Sequence, residues 1–209
     1  MIRKAAHAPE FSPEPWQGAQ VFHINHFPWE TEFDRQNTTL RALYDPKALY
    51  LQYHCQDRHI VSKHVGTNSH VFMDSCVEFF ASIEPHLSPD YFNLEMNACG
   101  HLLMGFGHKG GSRQHISEDL AGKIRIVSSV PGPKRNPSPD DSEWWLCAQV
   151  PWSVISELAG RQVRPTSGTV WHANAYRCGG DSDFAAWYPI DHPVPSFHRP
   201  EHFRKVTFE

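Results

Sequence analysis

A succession of short segments, each rich in β-branched and aromatic residues and each ended by turn chemistry, constrains this chain more than any other feature. The segments are Thr39 to Tyr44, Ala48 to His54, Cys76 to Ile83, Tyr91 to Asn97 and His101 to Phe106, followed by Ile124 to Val130, Trp144 to Val150, Thr169 to Arg177 and Lys205 to Phe208. Runs of this length and composition are strands. Asp45-Pro46 and the stretch from Asn97 to Gly100 are turns between neighbouring strands, and the Pro/Ser/Asp-rich Pro131 to Asp141 is a loop that crosses an edge. One stretch, Ser153 to Ala159, reads as helix, with Ser153 as N-cap and Gly160 just past its end. Gly107 to Gly122 reads as a long loop, of the kind that is mobile or carries function. The expected fold is all-β: an antiparallel β-sandwich, jelly-roll or immunoglobulin-like, with one short helix.

At 209 residues with no visible linker, the chain reads as a single domain spanning 1–209. A hydrophobic fraction of 40% suffices for a sizeable core, and a net charge of −4 provides no basic surface for nucleic acid. The apolar runs are too short for a membrane span. The N-terminal MIRKAAHAPEFSPEPW has no apolar stretch of the secretory type, so the expectation is a cytoplasmic protein, or an exported one whose signal is missing. The five cysteines form an odd set with no CxxC spacing, against a disulfide framework and a zinc knuckle; they read as reduced, buried residues. The fifteen histidines are scattered, with no HExxH spacing.

A sugar site needs aromatic faces for the apolar side of a pyranose, and carboxylate, amide and guanidinium groups for its hydroxyls. The candidates are Phe72, Glu78, Asn93, Glu95, Asn97, Asn174, Arg177, Trp187, Phe197 and His198. Alternation sorts some of them. In YFNLEMN, Asn93, Glu95 and Asn97 share one face and Phe92, Leu94 and Met96 the other. That polar row is either a plain solvated sheet face or the floor of a site. In VEFF, Glu78 and Phe80 share a face.

The series LYDPKALYLQYHCQD, DSCVEFF, YFNLEMNACG, SEWWLCAQVPW, AYRCG, AWYPI and FHRPEHFRKVTF resembles the single-domain relatives of the family 9 carbohydrate-binding modules, over nearly the whole chain. The resemblance implies a non-catalytic domain that holds a mono- or oligosaccharide between two aromatic rings, in the service of polysaccharide degradation or uptake. Glycoside hydrolases acting on xylan or cellulose are the implied partners. One ring precedes the Val-Glu strand and the other lies in the C-terminal loop before a Pro, which puts Phe72 and Phe197 in those places. Both are Trp in the best-known modules, so the stacking faces here are smaller and lack the indole N–H. Glu78 matches the family's hydroxyl-binding glutamate, whereas Asn93 and Glu95 stand where the family carries Arg and Asn. His198 is a secondary polar contact; Asn97, Arg177 and Trp187 are weaker candidates, and Arg177 equally suits a structural ion pair. Arg204 stands where the family commonly has Gly. No cofactor is required. The family has calcium sites, but their acidic residues do not align here, so no residue is assigned to a metal.

Three other readings stay open. Glu78 and Glu95 on adjacent strands could form the carboxylate pair of a glycoside hydrolase. Met73, Met96 or Met104 with a histidine could hold a haem, although Met96 falls on the face opposite Glu95 and so on the core side. The sandwich could instead be a protein-interaction scaffold that has lost sugar binding.

Overall fold

Alternating apolar and polar side chains allow a strand to bury one face and give the other to a second purpose. The computed structural model, which describes residues 1–29, 32, 35–179 and 184–209, uses that alternation throughout. In chain order the strands are β1 (Arg3–Lys4), β2 (Val21–Ile24), β3 (Thr38–Tyr44), β4 (Ala48–Gln56), β5 (Cys76–Ser82), β6 (Tyr91–Asn97) and β7 (Leu102–Gly107). They continue as β8 (Gln114–His115), β9 (Arg125–Ser128), β10 (Glu143–Pro151), β11 (Val170–Cys178), β12 (Ala185–Ala186) and β13 (Arg204–Thr207). One sheet has the order β1-β3-β4-β10-β9, with β2 also paired to β3. The other runs β12-β11-β5-β6-β7-β8, with β13 also paired to β11. Pairing is antiparallel except between β1 and β3, which is parallel.

The inner faces meet in one core. Val77, Phe79 and Ala81 of β5, Phe92, Leu94 and Met96 of β6, and Leu40, Leu51 and Leu146 from the opposite sheet are all buried there. Burying a ring such as Phe79 stabilises the fold by about 1.5–3 kcal/mol, and Phe79→Ala would cost about 3–5 kcal/mol once the cavity it leaves is included. Met104 and Met96 both lie in this core, while Met73 is exposed at the surface. Arg177 also points inward: it pairs with Asp57 and lies over the Trp144 ring, whose Nε1 donates to the same Asp57 carboxylate at 3.0 Å. Burial alone would raise the Asp57 pKa, but the Arg177 charge and hydrogen bonds hold it below the usual carboxylate value.

Two expectations need correction. The described residues form two α-helices rather than one: α1 (Glu118–Ala121) lies inside the expected loop Gly107 to Gly122, as does β8. The reason is local: the Ser117 side chain caps Leu120 N–H, and Glu118 and Asp119 sit in the first turn, a pattern too short to show periodicity. The second helix, α2 (Trp152–Ala159), starts before Ser153, so Ser153 is inside it and Pro151, in extended conformation, occupies the N-cap without a side-chain bond. Gly160 closes α2 in the left-handed conformation, φ 66°. Among the described residues, no helix is long and apolar enough to cross a membrane.

Candidate functional site

The outer face of the β12-β11-β5-β6-β7-β8 sheet carries a second apolar cluster, and the site is built on it. Cys76, Phe80, Tyr91, Tyr176 and Cys178 project from that face and pack with Phe197 and Phe203 of the C-terminal segment. Beside this cluster lies a cavity of about 400 Å³, a volume suited to a small ligand, lined among others by Phe72, Glu78, Asn93, Glu95, Phe197 and His198. The same cavity is lined by Leu103, Arg113, His115, Cys178, Phe184 and Ser196. A larger hollow of about 750 Å³ elsewhere carries no Phe, Tyr or Trp on its walls.

The two rings are held differently. Phe72 sits on a 3-10 turn, Val71–Met73, and is 43% exposed, so packing does not account for its position. The turn is anchored by buried Asp74, whose carboxylate accepts from Lys63 N–H, His64 N–H and Asn97 Nδ2 at 2.9–3.0 Å. Gly179 closes the anchor. At φ +75° it packs so tightly on the Phe72–Asp74 backbone that a Cβ there would lie 1.8 Å from the Asp74 carbonyl oxygen. Phe197 is only 8% exposed and stacks on Tyr176, with ring centroids 4.1 Å apart and planes 7° from parallel.

The floor is polar and buried. Glu78 and Glu95 are directly opposite one another on β5 and β6, which puts their Cβ atoms about 4.5–5.5 Å apart. Desolvation pushes the Glu78 carboxyl well above its usual pKa, and neighbouring Cys178 and Glu95 push the same way. Burial raises Glu95 to about 7, against the pull of the Asn93 hydrogen bond and the Arg113 charge. Asn93 Nδ2 donates to Glu95 Oε1 at 2.9 Å, and Arg113 donates to Asn93 Oδ1. Glu95 Oε2 is buried and has no hydrogen-bond partner. Cys178 Sγ donates to Glu78 Oε1 at 2.9 Å. Gly105, opposite Asn93, leaves room for this row: a Cβ there would be 3.0 Å from Asn93 Oδ1. His198 is hydrogen-bonded through Nδ1 to Tyr91 OH at 2.9 Å, and burial lowers its pKa to about 4, with help from Arg113 and Lys109, so it is neutral at pH 7.

Three weaker candidates fall outside the cavity. Asn97 belongs to the Asp74 anchor and accepts from His101 N–H; Arg177 is in the inter-sheet core; Trp187 packs on Phe22 at 4.4 Å. Asn174 ties down Tyr188 through both of that residue's backbone groups. Arg113 was not singled out by the sequence. It comes from the segment after β7, lies 4.2 Å over the Tyr91 ring and donates to Gly107 O at 2.6 Å. The one indication of it was the length and polarity of that segment.

Calcium, for which the related family has sites, takes oxygen donors. Among the described residues the one cluster of three metal-ligating side chains is Cys76, Glu78 and Cys178, whose two sulfurs do not suit it.

An antiparallel sandwich with an exposed aromatic ring, a pinned one and a buried row of hydrogen-bonding groups on one outer sheet face defines a carbohydrate-binding type of module. The model of carbohydrate-binding family 9 matches residues 16–208, and the chain belongs to that family. A candidate carbohydrate-binding protein from Bacteroides uniformis has a similar structure, with TM-score 0.83 and 26% identity over 92% of this chain and 87% of its own. A family 9 module from Caldicellulosiruptor kristjanssonii in complex with glucose superposes with TM-score 0.62 at 12% identity, covering 100% of this chain and 95% of that one. The same organism's module in complex with cellotriose gives 0.59 and 13%, with 100% and 93% covered. No curated protein matches the sequence.

Proposed function

We propose that the outer-face cavity binds a mono- or oligosaccharide, with Phe72 and Phe197 presenting their rings to the pyranose and Glu78 accepting from its hydroxyls. Asn93, Glu95, His198 and Arg113 supply the remaining polar contacts. The observation that carries this reading is the buried Glu95 Oε2, which lacks a hydrogen-bond partner on the floor of a cavity whose rim holds an exposed phenyl ring. A buried acceptor left unpaired costs about 1–3 kcal/mol, and a ligand hydroxyl would recover it. The glucose and cellotriose complexes of the similar modules support a gluco-configured ligand. A role beside glycoside hydrolases acting on cellulose or xylan, in polysaccharide degradation or uptake, belongs to the same reading. Two phenyl rings and a few hydrogen bonds correspond to micromolar to millimolar affinity, about −4 to −8 kcal/mol.

Isothermal titration with mono- and oligosaccharides from cellulose, xylan and other polymers tests it. Saturable binding by the protein, weakened by Phe72→Ala and by Phe197→Ala, is the expected result. Absence of heat with every sugar would overturn it in favour of an interaction scaffold.

A further inference from the structure

The register of β5 against β11 places Cys76 directly opposite Cys178, and Glu78 lies two residues along the same outer face. All three side chains are buried, at 0%, 3% and 3% exposure. One donor atom from each lies within 4.8 Å of the other two. Cys178 and Glu78 also line the cavity, so the cluster is sealed on the protein side and open on the ligand side.

We propose that Cys76, Cys178 and Glu78 form a site for a thiophilic divalent cation of the zinc class, with its fourth coordination position facing the cavity. A tetrahedral zinc with S at about 2.3 Å and O at about 2.1 Å sets its donors about 3.6–3.8 Å apart. The Cys178 Sγ–Glu78 Oε1 pair, now 2.9 Å apart, would open to that spacing, and all three donors already lie within 4.8 Å of one another. Two thiolates and one carboxylate select such an ion over calcium or magnesium. On binding, each thiol and the carboxyl gives its proton to solvent and its freed lone pair to the metal, with no redox change. Backbone pairing of two central strands fixes the two Cys positions relative to each other, which gives the site a rigid base. The second consequence rests on the sugar reading: an ion that takes Glu78 removes the principal hydroxyl acceptor, so the metal-loaded protein binds sugar more weakly.

The test uses the full chain, stripped with chelator and kept reduced with a phosphine, titrated with Co²⁺ and then with Zn²⁺. Expected are one equivalent of cobalt with a thiolate-to-metal charge-transfer band and intense four-coordinate visible bands, displaced by zinc. Cys76→Ser and Cys178→Ser should each remove at least half of the charge-transfer intensity, and Cys147→Ser should remove none. X-ray absorption of the zinc-loaded native protein needs no variant and should find two sulfur neighbours. No charge-transfer band, no sulfur neighbour, or a band undiminished in the Cys76/Cys178 double variant would overturn the site. Sugar titration of the same protein with and without zinc should show at least tenfold weaker binding when loaded. Failure of the metal-free protein to bind any sugar would sink the sugar reading while leaving the cobalt result to decide the ion site.

Discussion

The Phe197 ring lies parallel to Tyr176 at 4.1 Å, and the Tyr176 hydroxyl donates to the Phe197 carbonyl oxygen at 3.3 Å. One residue of the central strand β11 therefore fixes both the plane and the backbone of the cavity wall. Tyr176→Leu removes the stacking and the hydrogen bond while keeping an apolar side chain on the outer face. Offset aromatic pairs contribute about 0.5–1.5 kcal/mol beyond area burial, so sugar affinity should fall about three- to tenfold, read by titration calorimetry. An unchanged affinity would mean that Phe197 is positioned by Trp29 and Phe184 alone, both of which also contact its ring.

Gly179→Ala attacks the other wall. The left-handed backbone at this position costs a Cβ-bearing residue about 1–2 kcal/mol, and the Cβ would also overlap the Asp74 carbonyl. The Phe72 turn must then move. Thermal unfolding should show a Tm several degrees lower, and sugar binding should weaken by more than the stability change explains. Ala for Gly132, where a Cβ would meet nothing, is the matched control and should leave both unchanged.

The buried titratable groups make opposed contributions to stability against pH. Glu95 is raised from 4.5 to about 7, so the native state binds the extra proton within that window, and this contribution is lost as pH rises towards 7. His198 is lowered from 6.5 to about 4, so its unfolded form binds the extra proton, and stability is lost as pH falls from 6.5 to 4. The two slopes oppose each other over the shared range. Relative to the native protein, Glu95→Gln should gain stability as pH rises from about 4.5 to 7, and His198→Asn should gain it as pH falls from about 6.5 to 4. Urea unfolding at a series of pH values measures both, and equal slopes in all three proteins would contradict the assignment.

Arg177 separates architecture from ligand binding. Breaking a buried ion pair by removing one partner costs about 3–5 kcal/mol, because it leaves the other charge uncompensated. Arg177→Met should therefore lower stability by that order, and Asp57→Asn combined with it should restore part of the loss. Sugar affinity of the folded fraction should stay within about twofold of the native value. A large affinity loss in the folded protein would return Arg177 to the site.

Much of this was legible in the sequence, for physical reasons specific to each element. β5 and β6 alternate cleanly, so the sorting of Glu78, Asn93 and Glu95 to one face and Met96 to the core followed from the two-residue repeat, and both are observed. The two-residue strands β1, β8 and β12 have no room to show a repeat, and α1 is a single capped turn. Arg113 was invisible because its role depends on a segment folding back over Tyr91, a contact 22 residues apart in sequence. The thiol pair Cys76 and Cys178 could be recognised only from strand register, since 102 residues separate them along the chain.

Strand β5 can be read as two interleaved messages. Val77, Phe79 and Ala81 answer to the packing of the sandwich, while Cys76, Glu78 and Phe80 answer to whatever occupies the outer face. Substitutions in the second set leave the inter-sheet contacts of the first intact. Such a strand lets a lineage change the side chains that face a ligand without renegotiating the fold at each step. Ligand preference in a family built this way can drift much faster than architecture, so closely superposable members need not share a sugar.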